Sequence, residues 1–264
     1  MTTARGRTAI ATLLLAAAMW SAHALAQDRD RSMQLVSEFP LAGDEGQRVP
    51  NHSVKVPGPI DQLPGVVTVA NPQGKTTLIE FYDLNCPYCR IASTDITDMV
   101  ELDPNLRLVL VPFPVLGVAS VAAGRVELAV AKLGTPQQFY DFHHKVYAQR
   151  GVTDGARALE IARGLGFDPA LLEKVGDSDE TTEIMKSHLR LGNGLGFDTA
   201  TLEKIGDSDE ITETMKSHLR LGNGLGLAAT PSFIIAGVAV LGYPGRYRLQ
   251  AIVDAASTCG KVIC

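Results

Sequence analysis

Glu80-Phe81-Tyr82-Asp83-Leu84-Asn85-Cys86-Pro87-Tyr88-Cys89-Arg90 is the stretch that decides the fold. It closes a short β-rich apolar run, Thr76 to Tyr82, which predicts a buried strand. Proline suits the first turn of a helix, so a helix is expected to start at the first cysteine. A cysteine there faces unpaired backbone N–H groups and the positive end of the helix dipole, and both favour thiolate over thiol. Thiols in that setting titrate at roughly 3.5 to 7.5, against about 8.5 unperturbed. Cys86 is therefore expected as an exposed attacking sulphur. Cys89, one turn further in, is placed to attack a mixed disulfide and release its partner. Pro87 and Tyr88 tune the pair without joining the chemistry. Cys-x-x-Cys also serves as half of a zinc site, but the other cysteines, Cys259 and Cys264, are spaced by four residues and lie far away in sequence. The expectation is redox chemistry with no metal site and no organic cofactor.

Working outward, Leu106 to Val111 reads as a second strand closed by Pro112 and Pro114, and Val118 to Leu133 as an alanine- and valine-rich helix. Gln137 to Ala148 and Ala156 to Leu165 are predicted helices. Ser232 to Ile235 and Val238 to Leu241 form a strand pair around Ala236-Gly237, and Arg248 to Ala256 a last helix. Strand, helix, strand, several helices, hairpin and helix make an α/β layer arrangement with a helical insertion at about 115–226.

Within that insertion residues 166–195 recur as 196–225, differing only at 169/199, 171/201, 175/205, 181/211 and 184/214. Each copy reads as a helical hairpin. Asp168 with Pro169 makes an N-cap and first turn, Asp177 with Glu180 resembles a capping box, and Gly192-Asn193-Gly194 is a stop. A cut of thirty residues at equivalent points leaves one intact copy, so deletion of 176–205 is expected to leave a folded, redox-active protein. His188 and His218 are equivalent positions in the two copies. His143-His144 makes a poor chelate, because adjacent helical residues point in different directions.

The N-terminus reads as an address label. Arg5 and Arg7 precede an apolar run from Ala9 to Trp20, and Ala24-Leu25-Ala26 offers small residues for cleavage, so 1–26 is expected as a signal peptide cleaved near Ala26. Export places the cysteines in an oxidising compartment. Residues 27–64 are polar and rich in proline, which suits an N-terminal arm or linker better than a packed element. Loss of 1–26, which hold two arginines and no acids, takes the net charge from -5 to -7. That balance, without a basic cluster, argues against nucleic acid. Cys259 and Cys264 are expected to form a structural disulfide closing the tail 259–264; a second redox pair is the rival reading.

The segment Glu80 to Arg90 resembles the active-site segment of the DsbA-like thiol:disulfide oxidoreductases. Phe113-Pro114-Val115-Leu116-Gly117, Phe139 to Tyr147, and Ala229-Thr230-Pro231-Ser232-Phe233-Ile234-Ile235 are similar to family segments in the same order. The resemblance covers roughly residues 65–256. It implies a thioredoxin-like fold over 65–258, interrupted by a helical subdomain that the tandem repeat enlarges. It also implies that Pro231 is a cis-proline lying against the cysteines, that the backbone at Thr230 pairs with an extended substrate segment, and that Glu80 is a buried acid relaying protons beneath them. Pro87-Tyr88 departs from the Pro-His of the strongest oxidants in the family, and the duplication alters the helical lobe.

The expected function is periplasmic thiol:disulfide exchange on unfolded or cysteine-containing exported proteins, with a membrane-bound partner recycling the thiols. Oxidase is the favoured direction, and isomerase or reductase the alternative. A module that binds a soft metal such as Cu(I) is the rival from another class.

Overall fold

The computed structural model describes residues 37–195, 197 and 230–264. The expected signal peptide, the start of the arm and, apart from Phe197, the second repeat copy lie outside the described residues.

Short, largely apolar runs with buried side chains on both sides build one six-stranded sheet with two covered faces. Its strands are β1 (Asn51–Ser53), β2 (Val67–Ala70), β3 (Thr76–Tyr82), β4 (Leu106–Pro112), β5 (Ser232–Ile235) and β6 (Val238–Leu241), in the order β1-β6-β5-β3-β4-β2. β3 and β4 run parallel and the other pairs antiparallel. Leu78, Tyr82, Leu108, Leu110 and Phe233 join one buried cluster, while Phe81, Val109, Val111 and Ile234 join the other. Successive residues of a strand face opposite sides, which is why a seven-residue strand serves both cores.

Helix α1 (Pro87–Leu102) follows β3 and buries Cys89, Ala92, Ser93, Ile96 and Met99 along one stripe. Between β4 and β5 lie α2 (Val118–Leu133), α3 (Pro136–Ala148), α4 (Gly155–Arg163), α5 (Pro169–Gly176) and α6 (Asp179–Gly194); α7 (Arg246–Cys259) ends the fold. The α/β order with a helical insertion is as expected. α2 is the hub, packing against α3, α4, α5 and α6. Thr135 and Gln138 form a capping box at the start of α3.

Two differences from the expected organisation have physical causes. Residues 37–64 are packed where an arm or linker was expected. β1 pairs with β6, Leu41, Val49 and Ile60 are buried, and the buried Asn51 amide bonds Phe39 and Val49, so polar residues here satisfy backbone groups rather than solvent. The cap of α6 is Ser178, which accepts from the Thr181 N–H at 3.2 Å; Asp177, expected to cap with Glu180, ends α5 instead.

The first repeat copy is a helical hairpin whose second helix seats on β4. Gly192 allows the approach, since a Cβ there would come within 2.5 Å of the Phe113 ring. His188 is buried between the Pro112 and Pro64 carbonyls, each at 2.9 Å. After α6, Phe197 packs on Phe81 with ring centroids 5.0 Å apart, and Phe81 pairs with Ser232 of β5. The chain thus leaves and re-enters the described fold beside the same strand. Deletion of 198–227, a thirty-residue cut that retains every described residue, is expected to preserve a single cooperative melt within a few degrees of the full chain. Calorimetry of the deletion checks this, and loss of the cooperative transition would refute it.

Candidate active site

β3 runs straight into the site. After Tyr82, a turn formed by Asp83, Leu84 and Asn85 delivers Cys86 as the N-cap of α1, with the Cys86 N–H donating to the Asp83 carbonyl at 3.0 Å. Pro87 occupies the first turn, where its missing N–H costs no helical bond. The Cys86 sulphur accepts from the Cys89 N–H at 3.3 Å and donates to the Thr230 carbonyl at 3.2 Å. Thr230-Pro231 is a cis peptide. The topology therefore brings Cys86, Cys89, Thr230 and Pro231 together from opposite ends of the helical insertion. Both cysteines are free thiols, so the structure corresponds to the reduced pair.

Burial pushes the Cys86 thiol up, but hydrogen bonds from the Cys89 side chain, the Thr230 side chain and the Cys89 N–H outweigh it, and the net is below the ordinary thiol value. Cys89 is pushed well above that value by burial and by its bond and proximity to Cys86. One sulphur favours the anion and the other keeps its proton. Cys86 is not the exposed sulphur expected from the helix start, because only 4% of its surface is accessible. Its cover includes the Thr230 carbonyl, and Tyr88 packs half-buried beside it, while Pro87 lies exposed at the rim.

Glu80 sits beneath the pair on the face of β3 that carries Tyr82, opposite Leu110 and Phe233 in the neighbouring strands. Its Oε1 has no hydrogen-bond partner, and burial, with proximity to Cys86, raises its carboxyl to about 8. A second buried acid, Glu127 of α2, accepts from the Tyr82 hydroxyl at 2.6 Å and is also raised by burial to about 8. His143 Nδ1 lies 4.0 Å from it. Burial holds His143 well below the ordinary imidazole value, so the two are neutral neighbours rather than an ion pair. Tyr82 and Tyr147 pack edge-on against His143, and His144 points instead toward Thr97 and Tyr140.

Asp83 was missed by sequence reasoning. Its carboxylate accepts from the Asn85, Val115 and Leu116 N–H groups and the Ser120 hydroxyl, each at 2.8 Å. The nearest signal was its place in a turn three residues before Cys86. Cys259 and Cys264 form a disulfide with Cα atoms 6.2 Å apart at the C-terminal end of α7. Arg246, at the opposite end of that helix, is the residue that reaches Asp95 and Asp98 of α1. Among the described residues there is no cluster of three or more His, Cys, Asp or Glu able to hold a metal, and no helix long and apolar enough to cross a membrane.

Residues 77–196 match a family model described as a DSBA-like thioredoxin domain. A thioredoxin-like oxidoreductase from Silicibacter pomeroyi DSS-3 superposes with a TM-score of 0.59 at 29% identity, covering 76% of this chain and 99% of that one. A periplasmic thioredoxin-like protein from Salmonella enterica serovar Typhimurium gives 0.54 at 23% identity, over 73% and 90% of the two chains. The thiol-disulfide exchange protein alpha-DsbA2 from Wolbachia pipientis gives 0.51 at 20%, over 71% and 85%. The latter two likenesses are of fold. No curated protein matches the chain significantly.

Proposed function

We propose that this chain, whose residues 77–196 match a DSBA-like thioredoxin domain, is a DsbA-like thiol:disulfide oxidoreductase in which Cys86 and Cys89 oxidise thiols of exported proteins in the periplasm. The observation that carries this reading is the asymmetry of the pair, with Cys86 capping α1 and drawn toward the anion and Cys89 buried and drawn toward the thiol.

In the oxidising direction, a substrate thiolate attacks the Cys86 sulphur of the Cys86-Cys89 disulfide. The bond between the two cysteines breaks, and Cys89 leaves as a thiolate. Its high proton affinity draws a proton from Glu80, which is mostly protonated at neutral pH. A second substrate thiolate then attacks the substrate's own sulphur in the mixed disulfide and expels Cys86. The expelled sulphur is a good leaving group because the helix N-terminus stabilises its charge. Substrate loses two electrons, the protein gains them, and a redox partner must return the pair to the disulfide. The cis Thr230-Pro231 segment stands against the attacked sulphur, where its backbone can pair with an extended substrate. Cys259-Cys264 serves as a staple for the tail rather than a second redox pair, with Val262 buried inside its loop.

Direction is read from two assays on one preparation, refolding of a reduced disulfide-containing protein and reduction of insulin by dithiothreitol, each with Cys86→Ser as control. An oxidase accelerates the first far more than the second. The reverse ranking would assign a reductase.

A further inference from the structure

Two acids flank the cysteines in opposite settings. Glu80 has an oxygen with no partner. Asp83, 1% exposed, receives three backbone N–H groups and one hydroxyl. Burial raises the Asp83 carboxyl above its ordinary value, and these four hydrogen bonds act against it by favouring the carboxylate. The donors come from Asn85 in the turn, from Val115 and Leu116 after β4, and from Ser120 in the first turn of α2. Asn85 extends the latch by donating to Ser120 Oγ and bonding Thr153 through both its amide nitrogen and its oxygen. The Asp83 carbonyl takes the Cys86 N–H and the Tyr147 hydroxyl, each at 3.0 Å. Residues 83 and 86 thus close a turn, which places their Cα atoms within about 7 Å.

We propose that Asp83 is a positioning residue for Cys86: an ionised carboxylate that latches the helical insertion onto the strand-to-helix turn and fixes one negative charge within a turn of the attacking sulphur. The inference rests on Cys86 being the substrate-facing sulphur of the exchange reaction, attacked and then expelled in the oxidising direction and attacking in the reverse. The charge opposes the pull of the helix tip, leaving Cys86 more basic than the tip alone would make it. A more basic thiolate is a stronger nucleophile and a poorer leaving group, which shifts the pair away from extreme oxidants. The other ionisable groups around Cys86 are Glu80 from β3, Cys89 and Tyr88 from α1, and Tyr147 from α3; burial holds each of them toward its neutral form at neutral pH.

The test is an absorbance titration of the Cys86 thiolate in the full chain, which needs no substrate and so fails or succeeds apart from the exchange assays. Asp83→Asn is expected to lower the midpoint by about half to one pH unit, raising alkylation by iodoacetamide about three- to tenfold at pH values below both midpoints. Ser120→Ala removes one donor and keeps the charge, so it is expected to lower the melting temperature without moving the midpoint. An unmoved or raised midpoint in Asp83→Asn would overturn the proposal. Should that variant not fold, carbon-13 NMR of the wild-type Asp83 carboxyl decides. Ionisation throughout the neutral range, with a shift that records the Cys86 titration, supports the proposal, and a protonated carboxyl at neutral pH ends it.

Discussion

Cys86→Ser is expected to reduce catalysed thiol:disulfide exchange by about a thousandfold or more, to the rate of the uncatalysed reaction. A serine hydroxyl at the same helix tip stays protonated, because its intrinsic acidity is far weaker than that of a thiol and the tip shifts a group by only a few units. Binding at the cis-proline segment is untouched, so the variant isolates the sulphur chemistry. Cys89→Ser behaves differently. Its Cys86 thiolate still attacks a substrate disulfide, expelling one substrate thiolate and forming a mixed disulfide that Cys89 is no longer there to resolve. Covalent complexes with a disulfide-containing substrate therefore accumulate and run as new bands on non-reducing gels. Equal rates for wild type and Cys86→Ser would contradict the assignment, and absence of trapped complexes with Cys89→Ser would contradict the division of roles.

The second large effect is on stability. The oxidised protein, in which neither active-site thiol titrates, is expected to lose stability as pH rises from about 6.5 to 8. Glu80 and Glu127 start from an ordinary carboxyl value of 4.5 and are raised in the fold to about 8. In that window the folded state keeps two protons that the unfolded chain has released, so rising pH favours unfolding. Each group contributes about 1.4 kcal/mol per pH unit at most. Below 6.5 the slope is offset, because His143 and His188 resist protonation in the fold while the unfolded chain accepts it. The melting temperature should therefore fall by roughly 5–10 °C between pH 6.5 and 8. Glu127→Gln, which can still accept from Tyr82, should remove about half of that slope. A melting temperature that rises or stays level across this window would show that the two acids are not held neutral in the folded protein.

How much was legible in the sequence depended on whether the determinant was local. β3 and β4 were legible because a short, β-rich apolar run of seven residues supplies side chains to both covered faces. The start of α1 was legible from Cys86-Pro87, since a cap and a first-turn proline act within one turn. β1 was not, because Asn51-His52-Ser53 carries no apolar signal and earns its place by pairing with residues nearly two hundred positions later. The burial of Cys86 was hidden for a related reason, its cover including Thr230, 144 residues away. Asp83 looked like one turn residue among several, and its weight appears only when Val115, Leu116 and Ser120 converge on it. Glu127 was invisible as a site residue because nothing in an alanine-rich helix says that Tyr82 will meet it.

An amide-lined helix start that draws one sulphur of the pair toward its anion, while its partner stays protonated in the core, is the claim on which the account rests. Its most direct test is thiolate absorbance of the reduced protein followed against pH, with Cys86→Ser as the blank. One thiolate should appear with a midpoint below the ordinary thiol value of about 8.5, and it should vanish in the Cys86→Ser protein. A midpoint at or above that value, or a signal that persists when Cys86 is replaced, would contradict the account.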